Sequence, residues 1–442
     1  MTQNNRQIHL GVSLLGAGGL GAWRLPDSRS GEVTSLDLYS DIARKAEQGR
    51  LDAVFRADGP WIDVRRVRSA PSASFDPIPL LSAIAARTER IGVIGTISTT
   101  FTDPYNVARQ LATLDHLSNG RVGWNLVTSS QGEANFGLDK LPDQLARYAR
   151  AEEYLSVVRA LWDSWDDAAV INDRARGVYA DPDKIRPIDH KGEHFSVRGP
   201  LNIQRPPQGH PVLVQAGSSE EGRTFASKYA ELIFTAAQTL EEAQAFYKDI
   251  KQRAQGHGRD PDKIKVLPGI YPYIRDTEEN ARRFHEEIRD LIDIETGISN
   301  LEKTLGGIDL SGLDVDERIP PERLPDIDSL TRRKSRPALF KSLALDKGYT
   351  IRQLIHVQLS SNGHWSIVGT PEQLADGLET WFRERGADGF NLVLPVYIPG
   401  TIDIIVEEVV PILQKRGLFR REYAGRTLRE NLGLDRPASP AA

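Results

Sequence analysis

The stretch IGVIGTISTTFTDPYNVARQLATLDHLSNGRVGWNLVTS, residues 91–129, contains two short apolar runs with a longer helical pattern between them. The apolar runs cover 91–98 and 122–128, and the helical pattern covers 104–117. Apolar residues occur at both the odd and the even positions of each run, as strands of a parallel sheet require when helices cover both faces of the sheet. The stretch therefore predicts a β–α–β unit with parallel strands.

The same alternation of apolar runs and amphipathic helical patterns extends through eight units in series. The predicted strands are 8–13, 51–57, 91–98, 122–128, 211–216, 232–235, 264–274 and 389–394. The predicted helices are 36–48, 77–87, 104–117, 143–165, 219–228, 239–255, 277–291 and 402–415. Eight such units favour a closed barrel over an open doubly wound sheet, so we predict an α/β fold of the (β/α)8 TIM-barrel class.

By length alone, 442 residues would allow about three domains. We predict instead one barrel domain over 1–442 with insertions near 60–75, 166–210 and 295–365. Long insertions in compact domains are commonly lids or binding loops, so we expect 295–365 to form a lid and part of the substrate pocket. The charged tail ends in proline and alanine and is expected to be mobile from about residue 435.

Composition excludes several classes of function. The chain has no cysteine, and Met1 is its only methionine, which rules out disulfides, Cys-ligated metals and thiol catalysis. The net charge of −5 gives no electrostatic footprint for nucleic acid. The sequence has no run of about 18 apolar residues and no apolar leader. We therefore expect a cytoplasmic protein that acts on a small-molecule substrate, without nucleic acid or membrane partners.

Two motifs match ligand-binding patterns but occur in the wrong local structure. Residues 16–21, GAGGLG, match G-x-G-x-x-G, which binds dinucleotides only when a helix begins at the glycines. The predicted helix begins much later, at residue 36, so the motif favours a loop with Trp23 free to line a substrate pocket. His190 and His194 have metal-ligand spacing only on a helix. The glycine between them predicts a turn, so no metal site is expected.

Polar side chains cluster where the predicted strands end, which is where (β/α)8 barrels build their active sites. The clusters are RADG (56–59), TISTT (96–100), NLVTS (125–129) and QAGSS (215–219). In the last of these, Gly217-Ser218-Ser219 precedes a helix whose free backbone N–H groups can bind a phosphate. Single serines serve more often as helix N-caps, but four polar clusters at one edge favour a binding site.

Arg56 is the one cation in these clusters. Strand alternation assigns its side chain to the same face as that of Asp58. Two interpretations follow and both stay open: an ion pair with Asp58, or a guanidinium that binds a substrate carboxylate.

Long motifs resemble the bacterial-luciferase-like flavin monooxygenases, and within them the branch of nitrilotriacetate, EDTA and dibenzothiophene-sulfone monooxygenases. The motifs are FRADG (55–59), the stretch 95–129 quoted above, RYARAEEYL (147–155), HKGEHFSVRGPLNIQRPPQGHPVLVQAGSS (190–219), GTPEQLADGLETWF (369–382), GADGFNLVLP (386–395) and YAGRTLRENLGL (423–434). They follow the family's order and span nearly the whole chain.

The resemblance implies a (β/α)8 barrel that uses O2 and reduced FMN (FMNH2) supplied by a separate NAD(P)H:flavin reductase. The family oxygenates its substrates through a flavin C4a-(hydro)peroxide. By resemblance, Asp58, Thr96, Asn125 and Ser129 lie at the flavin ring or ribityl chain, and Tyr148, Ser218 and Ser219 lie at its phosphate. Gln144 stands where many relatives have histidine. An amide donates a hydrogen bond but cannot act as a cation or general acid.

The resemblance leaves the substrate open. The first hypothesis is oxidative cleavage of a C–N bond in an amino(poly)carboxylate, as in nitrilotriacetate monooxygenase. A second keeps this chemistry but cleaves a C–S bond of an organosulfur compound. A third is a flavin- or deazaflavin-binding barrel without oxygenase activity. For assembly, we expect a homodimer or homotetramer.

Overall fold

Eight parallel strands form a closed barrel in the computed structural model, which describes residues 6–14, 21–64, 66–72, 74–327, 329–330, 335–395 and 398–439. The strands are β1 (His9–Ser13), β2 (Ala53–Arg56), β3 (Gly92–Ser98), β4 (Val122–Val127), β5 (Val212–Gln215), β6 (Leu232–Thr235), β7 (Lys265–Ile274) and β8 (Gly389–Leu392). Because β8 pairs with β1, the sheet closes. The predicted (β/α)8 barrel is confirmed, and each strand lies within a predicted one.

Helices surround this barrel. They are α1 (Leu36–Gln48), α2 (Pro77–Ala85), α3 (Pro104–Leu117), α4 (Gln144–Trp162), α5 (Glu220–Tyr229), α6 (Leu240–Gly256), α7 (Glu278–Asp290), α8 (Ile294–Thr304), α9 (Ser335–Leu345), α10 (Ile351–Ser361), α11 (Pro371–Arg383), α12 (Thr401–Ile404, continued by a π-helical Ile405–Val409 and an α-helical Val410–Lys415) and α13 (Leu428–Asn431). The first and third begin and end as predicted. Ser35 caps α1, and Pro104 occupies the first turn of α3, where its missing N–H is harmless.

Inside the barrel, alternate strands supply side chains to common levels, as the stagger of a (β/α)8 barrel requires. The strand register places four side chains from β2, β4, β6 and β8 at one level, which we call the floor level: Phe55, Asn125, Phe234 and Asn391. The Phe55 and Phe234 rings meet across the barrel with centroids 4.6 Å apart. The next level toward the strand C-termini holds only small residues from the other four strands: Ser13, Thr96, Ala216 and Gly269.

The C-terminal segment closes the opposite end of the barrel. Leu428, Leu432 and Leu434 pack into the same apolar cluster as the barrel interior. Arg420 lies behind them and pairs with the buried carboxylate of Asp52. Since this segment seals the N-terminal end, ligands reach the barrel from the C-terminal ends of the strands.

The three regions predicted as insertions contain their own elements. Region 166–210 holds two short hairpins, Val170–Asp173 with Val178–Ala180 and His190–Lys191 with Ser196–Val197. Helices α8, α9 and α10 of region 295–365 share a separate apolar core, and the strand Trp365–Gly369 that follows them pairs with β7. Region 60–75 contains the short helical turn Arg66–Arg68, while Arg65 lies outside the described residues.

The tail, expected to be mobile from about residue 435, makes contacts with region 166–210 in the described residues, and its mobility stays a prediction. Arg436 forms a two-bonded ion pair with Asp167. The guanidinium of Arg205 donates to the carbonyls of Pro437 and Ala438, at 3.2 and 2.8 Å. The composition of the tail alone did not indicate these partners, which are distant in sequence. Residues 440–442 lie outside the described part of the chain.

Candidate active site

An open cleft lies above the floor level, at the C-terminal ends of the barrel strands. Its inward-facing wall positions carry small side chains, which leave room in the barrel end: Ser13, Ala57, Thr96, Ala216, Ala236 and Gly269. Ala216 and Ala236, which follow β5 and β6, are exposed although they point toward the barrel axis. The cleft is therefore accessible and lies where barrel enzymes place their active sites.

Three of the predicted residues, Thr96, Asn125 and Ser129, come together on one wall of this cleft, at the ends of β3 and β4 or after them. Asn125 Nδ2 donates to Thr96 Oγ1 at 2.8 Å. Ser129 Oγ donates to Ser98 Oγ at 2.6 Å, and Ser129 has a left-handed φ of 46° that turns the chain out of β4. Asn125 Oδ1 is buried and has no partner among the residues that the structure describes. This wall thus offers an unused acceptor to a ligand.

The predicted phosphate residues also meet, at the start of α5. Gln144, the first residue of α4, donates from Nε2 to Ser219 Oγ at 2.7 Å and to Glu221 Oε2 at 2.9 Å. Ser219 is the N-cap of α5 and accepts from the N–H of Gly222 at 3.2 Å. Ser218 precedes this cap. The two helix N-termini therefore face each other across one pair of hydrogen bonds.

Glycines shape this corner around Tyr148. A Cβ atom placed on Gly217 or on Gly222 would stand 3.0 Å from the Tyr148 hydroxyl oxygen, so these glycines make room for the phenol at the helix start. Burial raises the pKa of Tyr148, which keeps its hydroxyl protonated. A neutral donor beside the positive end of a helix dipole suits a phosphate.

Glu220 and Glu221, in the first turn of α5, would repel an anion, but each carboxylate has a partner that donates to it. Glu220 pairs with Arg253, with 2.6 Å between Nη1 and Oε1, and Glu221 accepts from Gln144. The unused Asn125 oxygen and the glycine-lined corner at Tyr148 fit the ring and the phosphate of a flavin mononucleotide. Within the described part of the chain, no group of three acidic or histidine side chains could hold a metal.

Asp58 lies at the rim of the cleft and is half-buried. Burial raises its pKa, and the neighbouring Asp76 carboxyl raises it further. Trp23, in a short helical turn after β1, is also partly buried, and its Nε1 donates to the carbonyl of Ser69 at 2.9 Å. This bond ties the segment after β1 to the region 60–75. Residues 15–20, most of the glycine motif, lie outside the described ranges.

Arg56 is buried and does not form the ion pair that one interpretation of the sequence expected, while its role toward a substrate carboxylate stays a prediction. The Arg56 side chain is only 3% exposed. Its Nη1 donates to the carbonyl of Leu14 at 2.8 Å, its Nη2 donates to Ser74, and its guanidinium lies 5.6 Å from the Tyr39 ring centroid. The described residues show no ion pair between Arg56 and Asp58, since β2 ends at Arg56 and alternation no longer relates the two. A substrate would reach this guanidinium only if the surrounding loops moved.

The 295–365 insertion supplies a residue that sequence reasoning missed. His364, at its end, points against inward-facing Gly269, where a Cβ atom would stand 2.6 Å from Nδ1. Its Nδ1 lies 3.1 Å from the Gly269 carbonyl, which makes Nδ1 the donor, and its Nε2 accepts from Arg336 Nη2 at 3.1 Å. Burial and the Arg336 guanidinium lower the pKa of His364 to about 3. The imidazole is therefore neutral with its proton on Nδ1.

Asn391 is the second missed residue. It lies within the quoted motif GADGFNLVLP, and the signal available was a single amide inside an apolar strand. No pattern in the sequence shows that it shares a level with Asn125, because that depends on the register of the whole barrel.

None of the helices that the structure describes is long and apolar enough to cross a membrane.

Comparison with known proteins gives the class of the enzyme. The sequence model of the family described as luciferase-like monooxygenase matches residues 20–389. N-acetyl-S-(2-succino)cysteine monooxygenase of Bacillus subtilis is 47% identical, with 99% of each chain covered. Component A of nitrilotriacetate monooxygenase from Aminobacter aminovorans is 44% identical, again with 99% of each chain covered.

Among solved structures, a riboflavin lyase with a modified FMN and riboflavin as substrate superposes with a TM-score of 0.86 at 32% identity. The match covers 98% of this chain and 97% of the lyase. The predicted family and branch are confirmed, and the alternative of a barrel without oxygenase activity is wrong. The chain belongs to the luciferase-like monooxygenase family and is a flavin-dependent monooxygenase.

Proposed function

We propose that the protein is the oxygenase component of a two-component system, which takes FMNH2 from a separate NAD(P)H:flavin reductase and uses O2. The name of the relative called component A supports a divided system. The chain's own glycine motif supports it too, because α1 begins at Leu36, too far from the motif to bind a nicotinamide dinucleotide. The predicted homodimer or homotetramer stays a prediction.

In this proposal the corner at α5 holds the flavin phosphate. Tyr148 and the serines Ser218 and Ser219 donate to it, together with the free backbone N–H groups of the helix start. Thr96, Asn125, Ser129 and Asp58 hold the ring and the ribityl chain. Reduced FMN, when bound, supplies the oxygen-activating chemistry. The chain's part is to orient the ring in the cleft and to keep water from it.

The observation that carries the proposal is the meeting of Gln144, Tyr148 and Ser219 at one helix N-terminus, on the same rim as the Thr96–Asn125 pair. Thr96 and Asn125 come from β3 and β4, whereas Gln144 and Tyr148 come from α4 and Ser219 from the start of α5. Both ends of a flavin mononucleotide, the anionic one and the aromatic one, thereby find partners along one side of the cleft.

For the substrate, we propose a small polycarboxylate with a bond between carbon and a heteroatom that the enzyme cleaves by oxidation. The first candidate is C–N cleavage in an amino(poly)carboxylate, supported by the relative that acts on nitrilotriacetate. Arg68 is an exposed cation in region 60–75, which Trp23 contacts through the carbonyl of Ser69, and a cation of this region would suit a carboxylate.

The second candidate is C–S cleavage in a carboxylated thioether. It is supported by the 47% identity to a monooxygenase whose named substrate joins cysteine to a succinyl group through sulfur. Both named substrates carry several carboxylates around a central heteroatom, so the two candidates share one class of ligand and differ in the atom beside the oxidised carbon.

A substrate panel tests these proposals. The protein, a flavin reductase, NADH, FMN and O2 are combined with nitrilotriacetate, with N-acetyl-S-(2-succino)cysteine, and with a long-chain alkane as an uncharged control. Glyoxylate release from nitrilotriacetate supports C–N cleavage, and a new free thiol from the thioether supports C–S cleavage. Oxidation of the alkane alone would refute the polycarboxylate class. Omitting the reductase should abolish turnover, and chemically reduced FMN should restore it.

We also propose that region 295–365 is the lid. It touches the rim at two places: Lys303 of α8 pairs with Asp63 of region 60–75, and His364 reaches the barrel wall at Gly269. Its helices have an apolar core of their own, which lets them move as a unit.

A further inference from the structure

Asn391 is buried in the barrel directly beneath the cleft. It is 5% exposed and belongs to the floor level with Phe55, Asn125 and Phe234. Its Oδ1 has no hydrogen-bond partner among the residues that the structure describes, and the same holds for Asn125 Oδ1. The two amides come from β8 and β4, on opposite sides of the Phe55–Phe234 ring pair.

The neighbours of Asn391 leave space around its amide. Its register partners are Gly11 on β1 and Gly269 on β7. A Cβ atom on Gly11 would already stand 3.7 Å from Asn391 Oδ1, so a larger residue there would crowd the amide. On the other side the space above Gly269 is occupied by the His364 imidazole. The amide therefore lies beside Gly11, and both of its register partners are glycines.

A buried amide oxygen without a partner is costly, and native structures retain few of them without a reason. Leucine has the same number and branching of side-chain heavy atoms as asparagine and would suit this apolar level. The amide oxygen of Asn391 lies opposite that of Asn125, and neither has a partner in the described part of the chain. This arrangement indicates that the ligand brings the hydrogen-bond donor. The floor is thus complementary to N–H groups.

We infer that Asn391 is a flavin-binding residue whose amide oxygen accepts an N–H that the ring carries in its reduced state. The inference rests on the proposed function. In the oxidised isoalloxazine the central-ring nitrogen N5 is an acceptor, which an acceptor floor repels. On reduction the ring gains N–H donors at this position, so the same floor attracts it. Asn391 selects the reduced cofactor over the oxidised one.

The test is the affinity of the whole protein for each oxidation state. FMN is titrated in air and FMNH2 under anaerobic conditions, with wild type, Asn391→Leu and Asn391→Val. Losing one hydrogen bond should raise the Kd for FMNH2 about fivefold to tenfold, while the Kd for FMN changes less than about twofold. The apoprotein's Tm should not fall, because each substitution removes a buried polar atom that had no partner.

Equal weakening of both flavins, or no weakening of either, would overturn the inference, and so would a fall in Tm without a change in affinity. The valine variant covers the case in which leucine prevents folding. A wild-type protein that binds neither flavin would instead refute the proposed function, so the two failures are distinguishable.

Discussion

Replacing Gln144 with alanine tests the phosphate corner. The amide of Gln144 holds Ser219 Oγ at 2.7 Å and the Glu221 carboxylate at 2.9 Å. Without it, Ser219 still caps α5 through Gly222, so the helix should persist. The carboxylate of Glu221, however, is released next to the proposed site of the flavin phosphate. Its negative charge then opposes the phosphate, and the serine hydroxyl loses its fixed direction.

The expected effect follows from the two bonds lost. A neutral hydrogen bond contributes about 1 kcal/mol, and one to a carboxylate contributes about 1.5–3 kcal/mol. Only a share of these two hydrogen-bond energies affects flavin binding, namely the share that holds Ser219 and Glu221 in place. We therefore expect the binding free energy of FMN to weaken by about 1–2 kcal/mol, or about fivefold to thirtyfold in Kd. Riboflavin, which lacks the phosphate, should bind the variant and wild type equally. Quenching of flavin fluorescence measures both.

Two further variants sharpen this experiment. Gln353→Ala removes a glutamine from the N-terminal capping box of α10, away from the corner, and should leave FMN binding unchanged. Gln144→His should bind FMN more tightly below about pH 6.5, where imidazole is protonated, than at pH 8, whereas wild type lacks this dependence. Equal losses for FMN and riboflavin in Gln144→Ala would refute the placement of the phosphate.

Three other predictions concern the barrel and its lid. Leu428→Ala should lower the free energy of unfolding by about 2–5 kcal/mol, measured in urea, because this fully buried side chain fills the sealed end of the barrel; a smaller loss than that of the exposed Leu117→Ala would contradict the seal. Since the folded-state pKa of His364 lies near 3, below that of an unfolded histidine, its contribution to stability is complete above about pH 6.5 and declines as pH falls from there toward 3. Urea unfolding at pH 7 and pH 5 should show a smaller acid loss for His364→Asn, and equal losses would contradict it. Replacing residues 295–361 by a short linker should preserve FMN binding and abolish turnover, and retained turnover would show that the region is not the lid.

The barrel could be predicted from the sequence because its signals are local. The strands β3 and β4 are continuous apolar runs, and α3 between them has regular helical spacing with a proline at its start. Each of these patterns can be recognised without knowledge of the rest of the chain. Eight β–α units in series are compatible with few topologies, and the closed barrel is the one that buries all strands.

The site was predictable in part. The motifs indicated which residues lie near a flavin, and the structure brings Gln144 to Ser219 although 75 positions separate them. The expected pairing of Arg56 with Asp58 is absent among the described residues because alternation does not extend past Arg56, the last residue of β2, and the binding of a substrate by Arg56 stays a prediction. Asn391 and His364 were missed because their positions depend on the register around the barrel and on the folding of an insertion, neither of which has a local signal.

The seal at the N-terminal end of the barrel has a consequence for the protein's synthesis. Strand β8 and the leucines that fill the barrel end come after β7 in the sequence, whereas β1, the partner of β8, comes before all the other strands. When β7 has been synthesised, β1 is paired only with β2, and the apolar interior still lacks the leucines that cover it. The barrel therefore cannot close until β8 and these leucines have left the exit tunnel, and the outer edges of β1 and β7 are exposed to aggregation until then.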